Sequence, residues 1–589
     1  MRFKKPFIAL TSASLLSLAA CGGSGEGPST GSENVDTENL ANTGDATDPD
    51  REGPAVIDGA TEGGTVDVLS VDGANSLDPS EAYYTNTSSI LQGLVTRSLT
   101  QLTYDPESGQ QVLIPDLATD LGTPNEDFTE WTFTIRDDVN YENGDPVTPE
   151  DIKFGMLRSM DRTAFPEGPA FSNDYFEGGD EYEGPYTGGN TDFDAIQIDG
   201  QDITITMSSP FPDMPYWGTF PAMGPIPEGP DTTPAKYAQR PLATGPYMFD
   251  EYNPERSLTL VQNPEWDPAT DPGRTQYPDE YTFDFQRDSA QIDEVLLNDS
   301  GDGQTTLTYD NVQASNYPTF QSEYADRLVE GGAPCTYYMA PDYRKIQSKE
   351  VREALLWAIP YEDMATAMGE IAGVTRITDA TNLMPPGIPG RETYNPVEEH
   401  EPGTTDPERA AQILEEAGET GYELKFLFAN DDPNAVAKKD VLVRAYEEAG
   451  FTATPVATTL AELSTLRADP DADINLRDAG WCSDWPSGGS WFPPVLQSTN
   501  LNAEGLGSNY AAFSEQDVDD RIDEVVSSPV EDQPAMWNEL DEYIATEYLP
   551  VIPYHYTGVA MAHGSAIEGF NVDQNLGMPT WKDIWVNQG

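Results

Sequence analysis

Basic residues are scarce in this chain. Thirty Lys and Arg face 103 Asp and Glu, for a formal net charge of −73, and only ten of the 589 residues are lysine. Nucleic acid and anionic membrane surfaces are repelled by such a protein and are excluded as partners. The acid is spread along the whole chain, so it reads as a solvated surface suited to salt-rich or acidic surroundings rather than as a cation trap. Histidine and cysteine are nearly absent, three of each. His400, His555 and His563 form no ligand spacing with the cysteines, so no metal site is readable and no cofactor is implied. There is no Gly-x-Ser-x-Gly elbow, no His-Glu-x-x-His and no P-loop, which leaves neither a hydrolase nor an NTPase legible. After residue 20 no apolar run is long enough for a membrane-crossing helix.

What is present begins at the N-terminus. Arg2, Lys4 and Lys5 precede an apolar run from Phe7 to Ala20, the two parts of a secretory signal. The run ends in Leu18-Ala19-Ala20-Cys21 and resembles the bacterial lipoprotein signal, in which cleavage leaves a diacylated cysteine as the first residue. Residues 1–20 are therefore expected as signal peptide, and residues 21–60 as the lipid anchor at Cys21 followed by a disordered spacer. With Cys21 assigned to lipid, Cys335 and Cys482 remain in an oxidising compartment. A bond between them and a pair of buried free thiols both fit the residues. The bond would close a loop of roughly 150 residues, worth about 5 kcal/mol on the chain-entropy model.

The rest of the chain exceeds one ordinary core, and at least two lobes are expected. Thr65 to Leu69 alternates as a first strand and leads into a turn at Leu77-Asp78-Pro79. Ile90, Leu91, Leu94 and Val95 recur at helical spacing within 87–99, and Trp131 to Ile135 alternates as a half-buried strand. Asn143-Gly144 marks a tight turn. Thr148-Pro149 starts a helix whose buried stripe is Ile152, Met156, Leu157 and Met160. The stretch from Thr163 to about Asn190 reads as a long loop, and Ile203 to Met207 as another strand. Ala243 to Tyr247 is a turn before a strand. Beyond Cys335 helices and strands alternate: Val351 to Ala358, interrupted at Pro360; Asp406 to Gly418; the strand of Leu424, Phe426 and Phe428; and a helix from Asp432-Pro433 to Ala449-Gly450. That order is the pattern of an α/β lobe.

The densest cluster of chemistry is Gly480-Trp481-Cys482-Ser483-Asp484-Trp485, with a thiol, an acid and two indoles. Read alone, Asp484 is either a surface turn acid or a fixed anion shielded by Trp481 and Trp485. Together with Leu77-Asp78-Pro79, Asn143 to Ile152, Ala243 to Tyr247, Val351 to Leu355, Met384 to Gly387 and Asp406 to Gly418, the cluster resembles the extracytoplasmic solute-binding proteins of ABC importers, family 5, the oligopeptide- and dipeptide-binding lipoproteins. The resemblance covers nearly everything from Thr65 onward.

It implies an α/β fold of two lobes joined by hinge crossovers, with a small third domain inserted in the first lobe. The implied segments are lobe I at 61–88, 201–333 and 554–589, the small domain at 89–200, and lobe II at 334–553. The resemblance also implies a Cys335–Cys482 disulfide and a non-enzymatic binder that closes on a peptide. By the same resemblance Asp484 is expected to pair with the peptide α-ammonium, and Gly480, Trp481 and Cys482 to line the cleft, with Trp485 beside them. Trp481 is the expected cleft wall, and one or two of Trp481, Trp485 and Trp491 are expected in the core. Tyr83, Tyr84, Phe171 and Tyr175 are further cleft candidates. The implied partners are a peptide, an ABC permease with its separate ATPase, and the membrane through Cys21. The protein is expected as a monomer on the outer face of the cytoplasmic membrane. Asp478 departs from the family, which carries Arg there. That leaves room for a different or cationic solute, beside the alternatives of an exported hydrolase and a surface or sensory protein.

Overall fold

The computed structural model describes residues 47–105, 110–254, 256–501 and 505–589. The expected signal peptide, Cys21 and the first part of the spacer lie outside the described residues. Residues 47–60 are irregular but touch the fold: Asp48 N donates to Leu113 O at 3.0 Å and Ile57 N to the Tyr277 hydroxyl at 3.1 Å.

Two sheets organise the chain. The first has the strand order Thr306–Thr308, Thr65–Leu69, Glu280–Asp284, Ser257–Gln262, Tyr247–Asn253. Its opening strand, predicted from alternation, is parallel to both neighbours and buries Val66 and Val68. The second sheet has the order Arg376–Ile377, Ile552–Ala562, Leu328–Pro341, Leu476–Cys482, Glu423–Ala429, Thr452–Thr458. The helix Lys349–Trp357 ends before Pro360 as the sequence predicts, because a proline ring cannot continue the ladder. The helix Pro407–Ala417 is capped by Asp406, whose side chain accepts from Arg409 N, and stops at Gly418 with φ +75°.

Each sheet has its own core, and two long strands pass between the cores. Val559 and Met561 lie in the first core, whereas Ile552 and Tyr554 of the same strand lie in the second. In Leu328–Pro341, Val329 and Ala333 pack on the first core and Met339 in the second. The two strands pair antiparallel with a shift of register between Gly332 and Thr336, which breaks the ladder where the chain crosses between lobes. Gly558 lies at that crossing, where a Cβ would meet Val374 O at 1.9 Å. This is an α/β fold of two lobes with paired crossovers.

The small third unit is a four-stranded sheet, Thr123–Pro124, Glu130–Thr134, Asp202–Thr206, Ile196–Asp199. Beside it the hairpin Thr100–Asp105 and Gln110–Pro115 forms a sheet of its own. The helix Pro149–Ser159 covers the four strands. Its Thr148 and Asp151 form a reciprocal capping box, and it buries Ile152, Met156 and Leu157. The shared core runs on past the expected boundary at 200, through Trp217 and Met223. The stretch expected as a long loop is mostly irregular, with short helical turns at Phe171–Tyr175 and Gly179–Glu181. Asp161 anchors it by accepting from Tyr186 N, Thr187 N and the Thr187 hydroxyl. Leu77-Asp78-Pro79 does more than turn the chain: Asp78 is fully buried and takes a bidentate ion pair from Arg158, tying the small unit's helix to the first lobe.

Candidate functional site between the lobes

The Leu476–Cys482 strand pairs with Leu328–Pro341 so that Cys335 stands opposite Cys482, and the two form a disulfide with Cα atoms 4.0 Å apart. One face of the strand sends Ala479 and Trp481 into the second lobe's core region. Trp481 is half-buried there, its indole N–H donating to Ser490 O at 2.8 Å. On the other face Gly480 lies against the Tyr337 ring, where a Cβ would come within 2.8 Å of it. Tyr337 in turn stacks on His555, centroids 4.5 Å apart. Trp491 is fully buried in the second lobe.

Past Cys482 the strand pairing ends and serine hydroxyls take over. Ser483 Oγ bonds Ser490 Oγ at 2.7 Å, and Ser490 Oγ also donates to Trp485 O. This tight loop projects Asp484 and Trp485 across the cleft. Trp485 is buried in the small unit's core, 4.8 Å from Phe171 and 5.9 Å from Phe211, and its indole N–H donates to Asp213 at 2.8 Å. Tyr175 stacks on Phe211 at 4.1 Å. Phe171 and Tyr175 thus belong to the aromatic nest that receives Trp485. Tyr84 accepts backbone and Thr87 hydroxyl bonds in its own turn.

Asp484 is half-buried, and its carboxylate accepts one hydrogen bond among the described residues, from the Tyr83 hydroxyl at 2.5 Å. No cation pairs with it among the described residues. Loss of water pushes its pKa up to about 7, opposed by the Tyr83 bond. Asp484 borders a solvent-connected cavity of about 570 Å³ whose other walls include Gln92, Tyr104, Phe220, Trp581, Lys582 and Asp583. Burial raises Asp583 to about 7 and lowers Lys582 to about 8. A site with an uncompensated carboxylate, hydrogen-bonding walls and aromatic faces suits a cationic, polar ligand end.

Of the residues read from the sequence, Asp484 reaches the cavity, and Tyr83 bonds it from outside the cavity lining. Trp485 anchors the lobes to one another, and Cys482 braces the strand beneath. Trp481 and Gly480 pack within the second lobe and are absent from the cavity wall. The wall from Trp581 to Asp583 was not foreseen. Its contacts, Trp581 indole to Ser89 and Lys582 Nζ to Gln101, span nearly the whole chain and leave no local signal. Asp478, which stands where the family carries Arg, is neutralised: Lys438 Nζ lies 2.5 Å away and the Tyr554 hydroxyl donates at 2.7 Å. Among the described residues there is no cluster able to hold a metal ion, and no helix is long and apolar enough to cross a membrane. Each histidine packs on an aromatic ring: His400 on Trp357, His555 on Tyr337, His563 on Phe570.

Residues 112–503 match the family model for bacterial extracellular solute-binding proteins, family 5 middle. Heme-binding protein A of Haemophilus influenzae is 24% identical over 339 residues, 56% of this chain and 57% of that protein. Periplasmic oligopeptide-binding protein OppA of Salmonella typhimurium is 21% identical over 390 residues, 64% of this chain and 68% of that protein. The chain thus aligns with little more than half the length of the first and two thirds of the second. Among solved structures, clavulanic acid biosynthesis oligopeptide binding protein 2 superposes with a TM-score of 0.80 at 21% identity, covering 92% of this chain and 99% of that one.

Proposed function

The chain belongs to the bacterial extracellular solute-binding proteins of family 5, binding proteins rather than enzymes, and we propose that it captures peptides between its two lobes by their free N-terminus and delivers them to an ABC permease driven by a separate ATPase. One observation carries the choice of ligand: the Asp484 carboxylate borders the interlobe cavity bonded to a phenol and in no ion pair among the described residues, while Lys582 on the same wall is held by Gln101 and the Leu102 carbonyl. A peptide α-ammonium supplies the missing charge in a charge-assisted contact shielded from water. The peptide backbone can then bond to the polar walls without its side chains being read. Gly480, Trp481, Cys482 and Trp485 serve this site from behind, by holding the loop that carries Asp484. The protein works outside the cytoplasm, as a monomer tethered to the membrane by lipid on Cys21.

The test is native mass spectrometry of the purified protein, then calorimetry with a tripeptide and its N-acetylated form. A ladder of co-purified peptides is expected, absent from Asp484→Asn. Acetylation should weaken binding by about 100-fold or more, the effect of leaving a desolvated charge unpaired. Equal binding of the acetylated and free peptides would remove Asp484 from the role assigned to it.

A further inference from the structure

A second cavity, of about 600 Å³, lies wholly in the second lobe. Its floor is the Glu423–Ala429 and Leu476–Cys482 strands, and its sides are the helices Pro433–Glu448 and Leu460–Ala468. Phe426, Phe428, Leu442 and Leu463 make it apolar. Its charge runs against the rest of the molecule. Lys438, Lys439, Arg467 and Arg477 line it against a single acid, Asp478, in a chain of net charge −73.

Three of these cations are already engaged. Lys438 pairs with Asp478, Lys439 with Asp440, and Arg477 with Asp342 at 3.0 Å. Arg467 is different. Its guanidinium makes no ion pair and donates no hydrogen bond among the described residues, and it rests 5.8 Å from the Tyr510 ring centroid. Asp478 feels the Arg467 charge but is already held by Lys438, so no carboxylate closes on this guanidinium. A second group points the same way. Tyr446 is fully buried on the cavity wall and its hydroxyl has no partner among the described residues. A desolvated hydroxyl without a partner costs free energy unless a ligand satisfies it. The helix that carries Arg467 fully buries none of its side chains and touches the second lobe's core only at Ala468, while Leu463 and Arg467 line the cavity.

We propose that this cavity binds a carboxylate attached to an apolar group. The carboxylate takes the Arg467 guanidinium, which presents a planar fork of donors matched to it. The Tyr446 hydroxyl donates to the ligand, and the apolar part lies on Phe426, Phe428 and Leu442. The single guanidinium charge suits a singly charged carboxylate, whereas a phosphate monoester at about −1.5 to −2 would stay partly unneutralised. The protein's overall negative field does not forbid this, because exposed charge is screened within roughly 8 Å at physiological salt. The carboxylate has two possible sources, the far end of a peptide held in the cleft or a separate small organic acid. The inference stands on different residues from the Asp484 reading and survives its failure.

The experiment is calorimetry on the full chain with 3-phenylpropionate and its amide, on wild type, Arg467→Gln, Arg467→Lys and Tyr446→Phe. Because the arginine is on a helix with no buried side chain, its variants keep the fold, which circular dichroism checks. The acid should bind about tenfold or more tighter than the amide. Arg467→Gln should remove that preference, Arg467→Lys should keep part of it, and Tyr446→Phe should weaken binding severalfold. A Phe-terminated tetrapeptide, free and C-amidated, separates the sources. Amidation that weakens wild type but not Arg467→Gln assigns the carboxylate to the peptide. Binding of 3-phenylpropionate alongside an amidation-insensitive peptide assigns it to a separate acid. The proposal is overturned if acid and amide bind alike, if Arg467→Gln keeps the preference, or if neither the acid binds nor amidation matters.

Discussion

Asp484 should act on the lobes even without a ligand. With the lobes together its carboxyl titrates near 7, against an ordinary 3.8 once separation returns it to water. Closure therefore binds a proton. A group with a raised value in the closed state favours closure at low pH, and the benefit is lost as pH rises through about 7. The full penalty above that point is about 4 kcal/mol, from a shift of about three units at 1.36 kcal/mol each. Between about pH 5.5 and 8.5 the closed state should lose about 2 kcal/mol, roughly a thirtyfold change in the closure equilibrium. Asp213 faces the same junction through Trp485, and burial holds it up at about 6, so it adds to the trend from a lower midpoint. Tyr83 is pushed well above its usual range and stays neutral throughout. Small-angle scattering on peptide-free protein reads the outcome. Wild type should expand on going from low to high pH. Asp484→Asn should stay compact to higher pH, keeping only the part of the response centred near 6. An unchanged radius of gyration across this range, or an identical response in the variant, would refute the argument that the carboxyl is held in the cleft at the cost of its charge.

Two further outcomes follow from groups away from the cavity. The Cys335–Cys482 bond closes a 147-residue separation beside the crossover, so the Cys335→Ser/Cys482→Ser double variant should lose about 3–5 kcal/mol in urea unfolding and become insensitive to reductant; a wild-type midpoint indifferent to reductant would contradict this. Asp78→Asn leaves the buried Arg158 guanidinium without its anion, and should cost about 3–5 kcal/mol, read as a shifted urea midpoint with the slope unchanged.

Local order was legible wherever periodicity and capping agree. The Pro149–Ser159 and Pro407–Ala417 helices start at a capping side chain with proline in the first turn, and each buries an apolar stripe. Misses arise where a distant partner decides. Apolar spacing carries a helix to Leu99, but helical structure ends at Val95 because Arg97, fully buried, extends to meet Asp116 and Thr270. Phe428 alternates with Phe426 along the strand, yet Phe426 is buried and Phe428 is half-exposed because it opens onto the second cavity. The candidate site shows the same limit more sharply. Asp478 and Asp484 are both half-buried acids on one short stretch, and the sequence treats Asp478 as the anomaly. What separates them is the facing surface. Asp478 looks onto a helix that brings Lys438 from 40 residues earlier. Asp484 looks across the cleft at Tyr83, 401 residues earlier, which offers a proton donor but no charge. A carboxylate left uncompensated in a protein that neutralises its neighbour is the physical reason to place the ligand's cation at Asp484, and no local pattern of residues contains that comparison.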